Sequence, residues 1–339
     1  LTMKIVFRTN AGKNIGLGHL NRCLSIASGF TYYYPNLHLN IFFIVNKEGE
    51  AFCESYKTIS SEKFDDYDIS IIKSLDPDIV FFDSYLATNH YLKLMIKNFF
   101  LVLLDDNNLY KKINPRVLIN GNIYANRKFY PKYHESTLYL LGPEYLPMKR
   151  EYWTSFSHDQ QIIKPLNKDI FITITSGAAD FYRILPKFQK YLKNLDLPIN
   201  YIIGPAFTDD IVEELSKKKK KNECLIHAPE SLKEIILSSA IIISAAGSTV
   251  YEVLALNKPI IIFTIAENQE DCALLLKNHN VLFLGNQKQI KWEDLESVVS
   301  NLYLNLASYH SKIEHLYSNF DGNGVYRICK CILKKFKDY

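Results

Sequence analysis

The chain has little cysteine and no arrangement of it that would build a framework. Cys23, Cys53, Cys224, Cys272, Cys329 and Cys331 are scattered through 339 residues, with no C-x-x-C spacing and no histidine cluster beside them. That excludes a disulfide scaffold and a structural zinc site. Charge of one sign is also lacking: 40 Lys and Arg stand against 36 Asp and Glu, a net of +4 that makes no case for nucleic acid as a partner. The one basic run, Lys217–Lys221, reads as a solvated helix end or loop. No apolar run approaches the ~20 residues that a bilayer-spanning helix needs. The opening LTMKIVFRTN passes directly into a strand pattern and lacks the apolar core of a signal peptide. A soluble, cytoplasmic protein without stable membrane insertion is therefore expected, and 47% hydrophobic with 22% charged residues suits a globular enzyme.

What is present is a repeated alternation. Short Val-, Ile- and Phe-rich runs at 4–9, 39–45, 78–84, 99–106, 116–121 and 137–142 read as buried parallel strands. Stretches such as Leu20–Tyr33 and Asn89–Asn98 between them suit crossover helices. After a polar, strand-poor segment the pattern restarts at 169–177 and recurs at 199–205, 223–229, 240–247, 259–265 and 280–285. Helical stretches at 182–193, 232–239, 249–256 and 270–277 alternate with these strands. The fold class expected is α/β, with two Rossmann-like doubly wound parallel-sheet domains facing across a cleft. The composition shift puts the boundary between about Arg150 and Lys168. This gives an N-terminal domain over 1–155, a C-terminal domain over 165–320, and a closing helix over 321–339.

Two strand-to-helix loops carry chemistry. In FRTNAGKNIGLGHLNRCLSIA (7–27), Gly16 and Gly18 let backbone N–H groups approach an anion. The third glycine of a dinucleotide fingerprint is missing, because position 21 is Asn, and no carboxylate stands at the end of the second strand, LNIFFIV, where one would bind a ribose. His19 and Arg22 share a helix face three residues apart. A histidine in the first turn feels the positive end of the helix dipole, which favours a neutral ring able to act as general base. Simple helix capping by His19 is the competing reading. In SAAGSTVYE (244–252), Gly247 allows close approach to the backbone, and Ser248 and Thr249 offer hydroxyls and helix N–H groups to a diphosphate. Glu252 could take ribose hydroxyls, or could close a capping box with Thr249 and need no ligand. Asn268 and Gln269 fall at the next strand end.

These runs together resemble the UDP-2,4-diacetamido-2,4,6-trideoxy-β-L-altropyranose hydrolases of pseudaminic acid biosynthesis. The likeness continues through FFDSYLATNHY (81–91), VLLDDNN (102–108), LLGPEYLPMKREY (140–152), SAAGSTVYEVLALNKPIIIFTIAENQ (244–269) and DGNGVYRI (321–328). It implies a GT-B-like fold, similar to the glycosyltransferase that makes lipid II. It further implies metal- and cofactor-independent hydrolysis of a UDP-sugar, with water as co-substrate attacking the anomeric carbon. His19 matches the family's base, and Tyr85 matches a residue lining the sugar site. Glu252 and Asn268 match positions that hold nucleotide and sugar. On the same reading Gly16, Gly18, Arg22 and Gln269 join the substrate site, and Gly247, Ser248 and Thr249 the nucleotide site.

Three departures stand out. Asn10 replaces a usual Asp, which predicts the loss of a carboxylate that could orient His19. TSGAAD (175–180) replaces a more glycine-rich loop, and SAAGS carries alanines where glycine is common. A GT-B glycosyltransferase using an activated sugar is the alternative, because one fold hosts both chemistries. A non-catalytic nucleotide-sugar binder is a third reading. Asp105-Asp106 is expected either to touch the site or to cap its turn. His90, His134, His227 and His279 are expected at surface or cap positions.

Overall fold

The computed structural model describes residues 2–12, 15–110, 113–130, 134–153 and 171–339. The chain divides into two compact units, Leu1–Trp153 with Gly322–Tyr339, and Thr154–Asp321. The final segment, expected as a closing helix, thus belongs to the first unit.

In the first unit β1 (Met3–Thr9) leads to α1 (Gly18–Tyr33), β2 (Leu39–Val45), α2 (Lys47–Glu50), β3 (Lys57–Ser60) and α3 (Asp66–Leu75). β4 (Ile79–Asp83), α4 (Asn89–Asn98), β5 (Leu101–Leu104), β6 (Val117–Asn120) and β7 (Leu138–Leu141) follow. The seven strands lie in the order β3-β2-β1-β4-β5-β6-β7, all parallel. β4 and β5 are buried along their whole length, which is why they read as continuous apolar runs. β3 escapes the sequence pattern because KTIS is mostly exposed at the sheet edge. α3, also not anticipated, is started by Asp65, whose side chain accepts from the Asp68 N–H.

The helix at Gly324–Lys337 packs on α1, with Val325, Ile328, Cys329, Ile332 and Leu333 in the same core as Leu20, Ile26 and Phe30. Gly29 makes this approach possible, since a Cβ there would lie 2.1 Å from Val325 Cγ1.

The second unit is described from β8 (Phe171–Thr175), followed by α5 (Ile184–Tyr191), β9 (Ile199–Ile203), α6 (Asp209–Lys218), β10 (Glu223–His227) and α7 (Lys233–Leu237). β11 (Ser239–Ala245), α8 (Thr249–Ala255), β12 (Ile260–Thr264), α9 (Glu270–Asn278), β13 (Leu282–Asn286), α10 (Leu295–Leu304) and α11 (Leu306–Tyr317) complete it. Its six parallel strands are ordered β10-β9-β8-β11-β12-β13. The helix at Gly324–Lys337 becomes α12. The basic run closes α6, where Lys217 and Lys218 pair with Glu213 at 3.0 Å and Glu214 at 2.6 Å one turn earlier. Among the described residues no helix is long and apolar enough to cross a membrane.

In each sheet the strand order reverses beside the first strand of its unit: between β1 and β4, and between β8 and β11. The crevice outside the carboxyl ends of such a pair is where open α/β sheets take ligands.

Candidate functional site

At the first switch point, Thr9 and Asp83 are register partners on β1 and β4, and Thr9 Oγ1 donates to the Asp83 carbonyl at 2.8 Å. The chain then turns through a narrow loop in which Gly12 and Gly16 bridge, with Gly16 N donating to Gly12 O at 2.7 Å. Gly16 has φ +81°, a conformation that disfavours any side chain. A Cβ at Gly16 or Gly18 would meet nothing within 4 Å, so the backbone here borders open space. Asn46 holds the loop from below by bonding both Ala11 N and Ala11 O.

α1 starts at Gly18 and places His19 and Arg22 over the end of β4. His19 Nδ1 lies 2.6 Å from Asp83 Oδ1. Arg22 donates to the same carboxylate through Nε, and through Nη2 at 2.6 Å to Oδ1. Arg22 Nη1 reaches Asp106 Oδ2 at 2.5 Å. Tyr85 packs edge-to-face on the imidazole, with ring centroids 4.4 Å apart, and its OH donates to Asp106 Oδ2 at 2.7 Å. The Asp83 side chain is fully buried, while that of His19 keeps 12% exposure.

Burial alone would push the Asp83 carboxyl up; the Arg22 charge, then His19 and the hydrogen bonds from both, outweigh it and hold Asp83 below the usual carboxylate range. Arg22 responds in the opposite sense. Burial would lower its pKa, but Asp106 and Asp83 raise it well above the ordinary value. An ionised carboxylate only accepts, so the hydrogen shared with Asp83 sits on Nδ1. The Arg22 Nη2 to Nδ1 distance of 3.2 Å is then a close contact between two donors. No described residue bonds Nε2.

This corrects one expectation. The exchange of Asp for Asn at position 10 does not strip His19 of an orienting carboxylate, because Asp83 provides it. Asn10 is buried instead, and its Oδ1 accepts from Arg8 Nη1 at 2.6 Å. Asp83 is not among the residues the sequence singles out; the available signal is an acidic residue ending the apolar run IVFFD. The Asp105-Asp106 pair splits between its two anticipated roles. Asp105 accepts from the N–H groups of Asn107 and Leu109, while Asp106 joins the His19 cluster. His279 is not an isolated ring, for its Nδ1 lies 3.0 Å from His315 Nε2. Among the described residues no three His, Cys, Asp or Glu side chains converge as metal ligands would.

In the second unit, β11 ends at Ala245 and the chain turns through Ala246 and Gly247 into α8. Ser248 occupies the N-cap position with no side-chain cap bond, and Thr249 is already helical. The capping box anticipated for Thr249 and Glu252, which required Thr249 at the cap, is therefore not formed. Ser248 and Asn268 are exposed, and Gly247, Thr249, Glu252 and Gln269 are half-buried. β11 and β12 are neighbours, so Asn268 and Gln269 follow the strand beside the Gly247 loop. Gln269 Nε2 stands 3.9 Å from where a Gly247 Cβ would be, and its Oε1 accepts from Ile265 N at 2.9 Å. Gly177 (φ +99°), after β8, also faces open space, and Gly204 beneath it leaves no room for a Cβ, which would lie 2.3 Å from Gly177 O. The candidate residues thus form two clusters, His19, Arg22 and Tyr85 beside Gly16 and Gly18 in one unit, and Gly247, Ser248, Thr249, Glu252, Asn268 and Gln269 in the other.

Comparison with known proteins places these units in context. Residues 170–326 match the glycosyltransferase family 28 C-terminal domain. The chain is 27% identical over 287 residues, 80% of its length, to the uncharacterized protein MJ1062 of Methanocaldococcus jannaschii. It is 27% identical over 138 residues, 38% of its length, to the UDP-N-acetylglucosamine–N-acetylmuramyl-(pentapeptide) pyrophosphoryl-undecaprenol N-acetylglucosamine transferase of Bacillus subtilis. These matches span 57% and 37% of the relatives' own lengths. Acinetobacter baumannii MurG superposes with a TM-score of 0.68 at 13% identity, over 98% of this chain and 99% of that one. With its two parallel α/β sheets, the chain has the GT-B fold.

Proposed function

We propose that the protein acts on a nucleotide-activated sugar, with His19 as general base toward an oxygen nucleophile that displaces the nucleoside diphosphate from the anomeric carbon. In this step the nucleophile's oxygen bonds C1 while the bond from C1 to the phosphate oxygen breaks. The leaving diphosphate takes the electron pair, and the nucleophile's proton passes to His19 Nε2. The observation that carries the reading is the 2.6 Å contact between His19 Nδ1 and Asp83 Oδ1, which leaves Nε2 as the acceptor. Asp83 also stabilises the imidazolium that forms. In the second unit, taken by itself, the loop N–H groups around Gly247 and the hydroxyls of Ser248 and Thr249 suit a nucleoside diphosphate, with Glu252, Asn268 and Gln269 following on the same and the neighbouring strand ends.

A sugar or lipid-linked hydroxyl is the nucleophile favoured by the family 28 match and by the transferase name of the Bacillus subtilis relative. Water is favoured by the resemblance of residues 7–27 and 81–91 to the UDP-altropyranose hydrolases. The two readings differ only in what approaches Nε2. Incubation with UDP-N-acetylglucosamine and with UDP-2,4-diacetamido-2,4,6-trideoxy-β-L-altropyranose in oxygen-18 water separates them. UDP release without acceptor, with label on the sugar, supports hydrolysis; release only on adding an acceptor supports transfer. Label on phosphate, or full activity in His19→Ala, would end both.

A further inference from the structure

Nothing in the direct contacts of the base explains why two further side chains, Tyr85 and Arg22, share one carboxylate. We propose that Asp106 is a positioning residue for His19, acting through both. This rests on the reading of His19 as the base.

Asp83 grips the imidazole at one atom only. A ring held by a single hydrogen bond can still swing about it and carry Nε2 away from its target. The second constraint on the ring is the edge-to-face contact of Tyr85. Tyr85 is itself half-exposed, so packing alone does not hold it; its anchor is the bond from its OH to Asp106 Oδ2. The same oxygen receives Arg22 Nη1, and Arg22 is the residue that fixes Asp83. Asp106 therefore sits behind both constraints on the ring without touching it.

The carboxylate is secured from the opposite side. Asn122 Nδ2 donates to Oδ1 at 2.8 Å, and Asn120 Nδ2 donates to the Asp106 carbonyl at 3.1 Å. Asn120 is the last residue of β6, so the support reaches back into the sheet. The neighbouring Asp105 cannot substitute, because its oxygens are spent on backbone N–H groups of the turn. Supporting partners of this kind matter because a displacement of about 1 Å at the reacting atoms can cost on the order of a hundredfold in rate.

The test reads the ring directly. The 339-residue chain carrying nitrogen-15 histidine has nine histidines, and the His19→Gln variant identifies which imidazole signals belong to His19. Wild type is expected to show a single tautomer with hydrogen on Nδ1. Asp106→Ala should give a mixture of tautomers, whereas Asp106→Asn, whose Oδ1 can still accept from Tyr85 and Arg22 at the cost of the bond from Asn122, should retain more of the wild-type pattern. Tyr85→Phe removes one hydroxyl and should also loosen the ring, which keeps the idea testable if Asp106→Ala does not fold. Turnover of the UDP-sugar that proves active should show kcat lowered about ten- to a hundredfold by Asp106→Ala with KM little changed. His19 signals identical to wild type in the folded Asp106→Ala and Tyr85→Phe proteins would overturn the proposal. That spectrum needs no turnover, so it stands apart from the His19→Ala activity measurement that decides the reaction itself.

Discussion

The Asp83 carboxylate lies 2.6 Å from His19 Nδ1 and is bracketed on its other side by Arg22, so the acid that orients the imidazole is itself held ionised and in place. Removing its charge while keeping its shape should be more damaging than its lack of substrate contact suggests. In Asp83→Asn an amide N–H can face Nδ1 and force the hydrogen onto Nε2, the atom that the proposed base needs unprotonated. UDP release should fall by about a hundred- to ten-thousandfold in kcat, with KM little changed. Steady-state kinetics against the active UDP-sugar would check this; a kcat within twofold of wild type would remove Asp83 from the mechanism.

The same carboxylate makes stability depend on acidity. Its folded-state pKa is depressed, with burial overcome by Arg22 and His19, so the unfolded chain binds the proton more readily. The contribution is complete above the unfolded value of about 3.9 and is lost as pH falls through the lower folded value. Urea midpoints measured from about pH 5 down to about pH 2 should decline in wild type below about pH 4, and the decline should be shallower in Asp83→Asn.

At the alkaline end the sign reverses. Burial pushes Tyr33 and Tyr34 up to about 12 and Cys53 to about 11, so the unfolded chain gives up these protons first. Their stabilisation is present below the unfolded values and is lost as pH rises through the folded ones. Denaturation midpoints should therefore drop between about pH 9 and pH 12, the cysteine entering first. A flat profile there would contradict the burial assigned to these groups.

Gly247 should separate ligand binding from folding. A Cβ at this position has only Gln269 Nε2 at 3.9 Å for a neighbour, so Gly247→Ala should fold with a melting temperature near that of wild type. If the loop takes a diphosphate, calorimetric titration with UDP should show affinity reduced about tenfold or more, as an added side chain blocks close approach to the backbone. Unchanged UDP affinity would move the nucleotide elsewhere.

Gly29 should behave in the opposite way. A methyl group there meets Val325 Cγ1 at 2.1 Å, so Gly29→Ala should destabilise the first unit by about 1–3 kcal/mol. Adding Val325→Ala should recover part of the loss, a coupling that a double-mutant cycle in urea would measure.

Much of this architecture is legible in local pattern. Fully buried strands such as IVFFD and LVLL announce themselves because both faces are covered, while the exposed edge strand KTIS has no apolar run to read. α3 and α6 are hard to read from the sequence for a related reason, since their polar faces dilute the apolar signal; α6 buries only Ile211 and Leu215. The glycines of the first loop and His19 at the helix start are neighbours in the chain, so they too could be recognised together.

What the sequence alone determined is the succession of strands, the two glycine-bearing loops and the histidine proposed as base, all set by residues within a few positions of one another. Only the tertiary structure decided what that base rests on. Asp83 is 64 positions from His19, and Asp106 is 84 from Arg22. They meet because β1, β4 and β5 are consecutive in the sheet, an order set by packing across the whole unit. For the same reason the last helix lies against α1, where one missing Cβ at Gly29 leaves room for Val325. Local periodicity carries the tendency to form each element; which elements become neighbours is settled by the apolar surface they bury together.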